Sequence, residues 1–271
     1  MRSTGHTLAM PDLSELRRFV EEHLTAASVM VALAPPIPRG MSAHSARTHL
    51  KAKGYDLALF DDEGLRVVSL TRLAPLKRDD LVRPASDFAE TPRRSRLVAR
   101  TLPLREVVRK LRADPAPLLV VGDSGVTHLV TIADFGGVAG TAASLSFLMA
   151  LDQGLNELLL QRPEETLFAL TPKQERDADE RRKQAEARGA ELHLIAYLSM
   201  GARLAAVRRL KLNLEFDLGT KDEHDLLLSV RNDAAHRTLS DPQQALVAIE
   251  TAERILKRLP EALARRGRPA P

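Results

Sequence analysis

Two similar segments in the first half of the sequence constrain the fold more than any other feature. In each, a helical pattern leads into a buried strand, a glycine-containing turn and a returning strand. A duplicated helix, strand, turn and strand unit is the simplest account, and it predicts an α/β domain pair. The first repeat comprises Ala43–Lys53 (helix, closed by Gly54), Leu57–Phe60, Asp61–Gly64 and Leu65–Leu70, and the second comprises Leu104–Ala113, Leu118–Val121, Gly122–Gly125 and Val126–Ile132.

The second repeat ends in Thr131-Ile132-Ala133-Asp134, between a predicted strand and a predicted helix. This string, in a duplicated unit, resembles the cystathionine-β-synthase (CBS) domain pair, which commonly binds adenine nucleotides. In that family the threonine and the aspartate contact phosphate and ribose, which implicates Thr131 and Asp134. The chemistry is suitable, because a carboxylate accepts from ribose hydroxyls and a hydroxyl at a helix N-terminus suits phosphate. A helix cap is the alternative role for Thr131.

The repeats depart from the CBS pattern at two places. His128 stands where the family usually has a glycine, and it would crowd a ligand's approach to the backbone. In the first repeat Ser69 or Thr71 stands at the threonine position, and Arg72 or Ala74 at the acid position. Ser69 and Arg72 are the candidate nucleotide contacts there, with Arg72 on phosphate. We expect at most one regulatory nucleotide (ATP, ADP or AMP) per pair, and a purely structural dimerisation module is the alternative.

A helical pattern in the second half ends in Arg231-Asn232-Asp233-Ala234-Ala235-His236. The predicted helix covers Asp222–His236, and Leu226, Leu227 and Val230 form its apolar stripe. Histidine titrates near neutral pH, so it can take a proton from a 2′-hydroxyl and return one. Arginine presents a fixed fork of donors to phosphate oxygens. These residue types suit cleavage of RNA without a metal.

Arg231 and His236 are five residues apart, which places them about 140° from each other on a straight helix. One helix therefore does not direct both side chains squarely onto a single phosphate, whereas a second, facing copy would. Asn232 would hold the phosphate or orient the imidazole.

The helix, its RN-x-x-x-H string and the amphipathic helix that follows resemble the HEPN superfamily, over roughly Val138 to Leu259. Its members are all-α domains that often act as metal-independent ribonucleases, with the motif's arginine and histidine in a composite site across a homodimer. The resemblance implies Arg231, Asn232 and His236 as catalytic residues. The alternative is an exposed helix end, with His236 favoured by the helix dipole and Arg231 solvated.

The rest of the second half predicts further helices. Gly136, Gly137 and Gly140 indicate a flexible joint before a leucine-rich helix. Thr171-Pro172 predicts the start of one long helix, which is charged all round at first and then apolar on one face. The basic face of its second half holds the candidates for nonspecific RNA contact, Arg203, Arg208, Arg209 and Lys211. Ser240-Asp241-Pro242 predicts the start of the last helix.

Composition limits the class of protein. A chain of 271 residues suggests about two domains. It contains no cysteine, which excludes disulfides and thiolate metal sites. A net charge of +4 permits a nucleic-acid partner without requiring one. We expect no signal peptide, no membrane span and no metal site, and hence a cytoplasmic protein.

Together these patterns predict an α+β protein: a disordered start (1–10), a CBS pair (11–136, with repeats at about 28–81 and 97–136), a HEPN-like helical bundle (137–260) and a flexible basic tail (261–271). The predicted function is a homodimeric, metal-independent endoribonuclease that needs no catalytic cofactor and is regulated by an adenine nucleotide. The alternative is a non-catalytic nucleotide-sensing regulatory or scaffold protein that binds a partner through the bundle. Whether an antitoxin-like partner exists is left open.

Overall fold

The computed structural model describes residues 18–20, 22–60, 65–123, 125–190, 192–236 and 241–265. The chain forms two compact units. The helical unit comprises Met1–Val29, Pro103–Asp114 and Ile132–Pro271, and the strand-containing unit comprises Met30–Leu102 and Pro115–Thr131. Both units are discontinuous in sequence, so the predicted sequential domain boundaries stay predictions. The expected disordered start and the turn Asp61–Gly64 lie outside the described residues.

The strand-containing unit combines short strands with short helices. Its helices are α1 (Ala43–Lys53), α2 (Leu70–Leu73) and α3 (Arg78–Leu81). Its strands are β1 (Val31–Ala32), β2 (Leu57–Leu59), β3 (Val67–Ser69), β4 (Leu97–Ala99), β5 (Leu118–Gly122) and β6 (Gly125–Val130). They form one sheet in the order β1-β6-β5-β4 and a second sheet of β2 and β3.

Both repeats complete their hairpins in the same way. In the second repeat, β5 pairs in parallel with β4, and β6 pairs antiparallel with β1, which comes from ahead of the first repeat. In the first repeat, Ile37 pairs in parallel with Phe60, and Glu90, from ahead of the second repeat, pairs antiparallel with Val67. Each hairpin therefore pairs with two further segments: a parallel one that precedes its own repeat and an antiparallel one that precedes the other repeat. This shared topology is what a duplicated unit predicts.

Caps explain where the elements of the first repeat begin and end. The Ser42 hydroxyl accepts a hydrogen bond from the Ser45 amide at the start of α1, and Gly54 ends that helix with a φ of 69°. The helix bounds are therefore those predicted. The returning strand is shorter than predicted, because Ser69 caps α2 and the chain turns helical at Leu70.

The helical unit is built around one long helix. α5 contacts α6, α8, α10 and α11, and Leu148, Leu151, Leu155 and Leu158 on it are buried. No described helix is long and apolar enough to cross a membrane. The unit's helices are α4 (Leu104–Ala113), α5 (Val138–Leu160), α6 (Pro163–Phe168), α7 (Pro172–Glu186), α8 (Met200–Arg209), α9 (Leu212–Glu215), α10 (Lys221–Ala235) and α11 (Pro242–Ala264).

The predicted long helix after Thr171 is wrong, because two helices stand in its place. α7 begins at Pro172 with Thr171 as its cap and ends at Glu186. Gly189 then adopts a φ of 83°, which a helix does not tolerate. Ser199 starts α8 by accepting a hydrogen bond from the Ala202 amide. The predicted tail also begins too early, since α11 continues to Ala264, and residues 266–271 lie outside the described residues.

The predicted flexible joint is also wrong at Gly140, which lies inside α5 and is buried. A Cβ atom on Gly140 would lie 2.3 Å from the Phe135 Cα and 2.6 Å from the Asp134 carbonyl oxygen. Real Cβ atoms do not approach backbone so closely. Glycine is therefore required at this position for close packing between α5 and the preceding 3₁₀ turn (Ala133–Gly136).

We expect Gly140→Ala to lower the free energy of unfolding by about 1–3 kcal/mol, because the backbone must move to accommodate the methyl group. Gly201→Ala is the matched control in α8, where the nearest atoms to an added Cβ are 3.6 Å away. That change should raise stability by up to about 1 kcal/mol through helix propensity. Urea denaturation of both variants measures the difference, and equal effects would contradict the packing role.

Candidate functional site

Arg231, Asn232 and His236 lie at the C-terminal end of α10, and all three side chains are exposed. The inner face of the helix, which includes Leu227 and Val230, is buried and turns the motif outward. This location agrees with the predicted one. The helix itself covers Lys221–Ala235, one residue earlier at each end than predicted, with His236 as its C-cap.

The side chains of Arg231 and Asn232 are in contact within a single chain. Arg231 Nη1 donates to Asn232 Oδ1 over 3.4 Å, a long hydrogen bond between adjacent side chains. This contact suits an asparagine that orients the arginine. The meeting of Arg231 with His236 from a second copy remains a prediction.

His224 anchors the other end of α10 and is fully buried. Its Nε2 donates to the Leu218 carbonyl at 2.8 Å, and its Nδ1 accepts from Arg208 Nη1 at 3.4 Å, because an arginine can only donate. Burial lowers the pKa of His224, since the imidazolium would lose its hydration, and the charge of Arg208 adds to this effect. The histidine is therefore a neutral structural link between α8, α10 and the loop that joins α9 to α10.

Gly219 permits this link. Its φ is 96°, and an added Cβ would lie 3.0 Å from His224 Nε2. The chain can pass this close to the imidazole only because glycine has no side chain. The sequence pattern around His224, with acidic neighbours, gave no indication of this buried role.

Arg203 is not an RNA contact, because its side chain is buried. Its Nη1 donates to Asp152 Oδ1 at 2.6 Å, and its Nη2 donates to the Ala196 carbonyl at 2.9 Å. The helical period placed Arg203 on a solvent face, but that face packs against α5. The predicted role of Arg203 in RNA binding is therefore wrong.

The other three predicted RNA contacts differ in exposure. Arg208 is half-buried against His224. Arg209 is exposed, although its Nη1 donates to the Ala169 carbonyl at 2.6 Å and to Gln174 Oε1 at 2.9 Å. Lys211 is exposed. Arg209 and Lys211 remain candidate contacts.

Replacement of Arg203 by leucine should lower the free energy of unfolding by roughly 3 kcal/mol, because it removes one partner of a largely buried ion pair. Arg209→Ala, which truncates an exposed arginine, should cost less than about 1 kcal/mol. Thermal and urea denaturation measure these effects. A stable Arg203→Leu protein with weakened RNA binding would contradict the structural role.

The candidate nucleotide contacts of the first repeat lie together at the end of β3. The Ser69 hydroxyl accepts from the Arg72 amide at 3.4 Å and lies 2.9 Å from Thr71 Oγ1. The exposed Arg72 guanidinium forms an ion pair with Glu90, with 2.5 Å between Nη2 and Oε2. A phosphate at Arg72 would therefore compete with a carboxylate for the guanidinium.

The candidate contacts of the second repeat belong to different units. Thr131 is buried at the end of the strand-containing unit, just after β6. Asp134 is half-buried in the 3₁₀ turn of the helical unit. The cap position of that turn is Ile132, so the alternative role of Thr131 as a helix cap is not observed. The Nδ1 of His128 lies 2.8 Å from Thr127 Oγ1.

The helical unit also contains a groove of about 640 Å³ that no sequence pattern predicted, which we call the basic groove. It is lined by α4 (Arg109, Arg112), by Glu223 of α10 and by the face of α11 from Val247 to Arg258. Charged residues at three- and four-residue spacing on both long walls could have indicated it. The sequence does not show that these two walls face each other, because α4 and α11 are far apart in the chain. Among the described residues, no group of three or more His, Cys, Asp or Glu is placed to hold a metal ion.

The sequence matches no protein-family model, and no curated protein is similar to it in sequence. Solved structures with a similar chain path include the CBS domain of a bacterial CNNM/CorC family Mg²⁺ transporter in complex with ATP. That likeness has 15% identity and a TM-score of 0.36, and it covers 45% of this chain and 90% of that one. Protein MJ1004 from Methanocaldococcus jannaschii is 17% identical with a TM-score of 0.38, over 69% of this chain and 100% of that one. These likenesses are too weak to assign a function.

Proposed function

We propose that the helical unit is a metal-independent ribonuclease that acts as a homodimer. One observation supports this most directly: Arg231, Asn232 and His236 are all exposed at one end of α10. Side chains of the same helix that serve the core, such as Leu227 and Val230, are buried instead. The other end of α10 is fixed by His224, so the motif is presented on an anchored helix.

The reaction that suits these side chains is transesterification of RNA. His236 takes the proton from a 2′-hydroxyl, whose oxygen attacks the adjacent phosphorus. The bond from phosphorus to the 5′-oxygen breaks, and the products are a 2′,3′-cyclic phosphate and a 5′-hydroxyl end to which the protonated His236 returns the proton. Arg231 stabilises the negative charge that develops on the phosphate oxygens. Asn232 holds Arg231 in position through its Oδ1.

A homodimer would combine Arg231 of one copy with His236 of the other. On one straight helix the two side chains diverge by about 140°, and a facing copy removes this mismatch. Two equivalent composite sites would result from two-fold symmetry.

We expect the purified protein to cleave mixed cellular RNA in EDTA, and His236→Ala to reduce the rate by at least about 100-fold, because the general base is lost. His44→Ala, which removes an exposed histidine of α1, is the matched control and should keep full activity. Cleavage is measured by gel electrophoresis, with dimer formation and folding checked by light scattering and circular dichroism. Undiminished activity of His236→Ala would refute the mechanism.

Mixing two inactive variants tests the composite site separately. Arg231→Ala and His236→Ala homodimers should each be inactive, whereas exchange of subunits should restore about a quarter of the activity, because half of the dimers regain one intact site. A mixture that stays inactive after exchange would place each site within a single chain.

We also propose that the strand-containing unit binds an adenine nucleotide that regulates the helical unit. The support is the duplicated topology together with Ser69 and Arg72 at the turn from β3 into α2. The Ser69 hydroxyl can donate to phosphate, and so can the Arg72 guanidinium once it leaves Glu90. A non-catalytic regulatory or scaffold protein is the alternative, and nucleotide binding without any RNA cleavage would favour it.

Calorimetric titration with ATP, ADP and AMP should show binding that Arg72→Ala weakens by about tenfold, because one charge-assisted contact to phosphate is lost. Arg47→Ala is the control, since Arg47 Nη1 donates only weakly to the Ala74 carbonyl at 3.5 Å. Equal binding by both variants would remove Arg72 from the site.

A further inference from the structure

The basic groove has the dimensions of a small-molecule site. Its volume of about 640 Å³ lies within the range of pockets that hold compact ligands. All of its walls belong to the helical unit. It includes none of the proposed catalytic or nucleotide-binding residues.

Positive charge exceeds negative charge along this groove. Five arginine and lysine residues and three glutamates line it, which leaves an excess of two positive charges. Of these cations, Lys257 contacts Glu253, whereas Arg258, which is exposed at the end of the groove, has a distant carboxylate partner. Among the described residues, Arg258 has one long ion pair, with 4.0 Å between its Nε and Asp217 Oδ2. An anionic ligand would therefore find a weakly paired guanidinium at this end.

Ion pairs at the rim do not close the groove to a ligand. Arg112 pairs with Glu250, and their side chains are 39% and 41% exposed. Exposed pairs of this kind contribute little to stability, because water screens them and the long side chains lose entropy. A phosphate group can replace the glutamate at Arg112 and gain a bidentate contact.

The floor of the groove is polar and buried. Thr251 and Glu253 are less than one-tenth exposed. Glu253 Oε1 contacts Lys257 Nζ at 2.5 Å and Arg109 Nη2 at 3.7 Å, without a hydrogen bond of normal geometry. A buried carboxylate normally accepts hydrogen bonds, and the hydroxyl groups of a ligand would supply them.

We propose that the basic groove binds a compact ligand with phosphate groups next to sugar hydroxyls, a sugar phosphate or a nucleotide. Arg258 holds a phosphate at one end of the rim, and Arg112, beside Glu250 at the other end, is the contact for a second phosphate of a longer ligand. Glu253 and Thr251 accept hydrogen bonds from the hydroxyls at the floor. Bound RNA is the less suitable occupant, because a groove of about 640 Å³ suits a compact ligand better than a long chain. This site is independent of the ribonuclease and of the nucleotide site in the strand-containing unit.

Calorimetric titration of the full chain with ribose 5-phosphate, ATP, inorganic triphosphate and a short oligoribonucleotide tests the proposal. Ribose 5-phosphate should bind, and Arg258→Gln should weaken its binding by about tenfold through loss of a charged contact. Arg265→Gln changes an arginine at the end of α11 that is outside the groove lining. It is the control and should have no effect. Circular dichroism and melting curves check that each variant is folded.

Glu253→Gln separates hydroxyl recognition from simple anion binding. It should weaken the binding of ribose 5-phosphate but not that of inorganic triphosphate, because only the sugar offers hydroxyl donors. ATP binding that persists in Arg258→Gln and disappears in Arg72→Ala would belong to the strand-containing unit. The binding of ribose 5-phosphate, rather than that of ATP, therefore decides whether the groove is a ligand site.

Three outcomes would overturn the proposal. The first is that Arg258→Gln weakens the binding of neither ribose 5-phosphate nor ATP. The second is binding of inorganic triphosphate alone, which would make the groove a nonspecific anion site. The third is Arg258-dependent binding of the oligoribonucleotide alone, which would make it part of an RNA surface.

Discussion

The first turn of α5 lies directly against the 3₁₀ turn before it, and the arrangement of the helical unit depends on this close approach. Gly140 makes it possible, because any side chain there would meet the backbone of Phe135. From this start α5 runs through the middle of the unit and contacts α6, α8, α10 and α11. The position of α10, and with it the position of Arg231 and His236, therefore follows from where α5 begins.

Arginines hold α10 in place at its N-terminal end. Arg254 of α11 donates to Glu223 Oε1 at 2.6 Å and to Asp217 Oδ1 at 2.9 Å. Burial disfavours the ionised form of Glu223, but hydrogen bonds from Thr220 and from Arg254 outweigh this effect and lower the pKa of Glu223. With Arg208 on His224 from the other side, the N-terminal end is fixed by charge and by hydrogen bonds. The C-terminal end can remain exposed without loss of the helix.

Local signals predicted the elements whose ends are set by nearby residues. Ser42 and Gly54 delimit α1, and Thr171 with Pro172 starts α7, all within a few residues of the ends they determine. Local sequence patterns gave wrong predictions where the structure depends on residues that are far away in the chain. The apolar period continues from Leu192 to Leu210 across a break, so two elements looked like one helix. Arg203 looked solvated because its partner, Asp152, lies on another helix, and the basic groove was missed because its walls come from α4 and α11.

The two proposed sites of the helical unit differ in how their positive charge is compensated. The groove arginines Arg112 and Arg254 each contact a carboxylate. Among the described residues, Arg231 contacts the neutral amide of Asn232 and forms no ion pair. A phosphate that approaches Arg231 therefore meets a charge that no carboxylate of the described residues offsets, whereas a phosphate at Arg112 or Arg254 must displace one. RNA, with one charge on every nucleotide, is attracted more strongly by the first arrangement. A compact ligand that also supplies hydroxyl donors to Glu253 is better suited to the second.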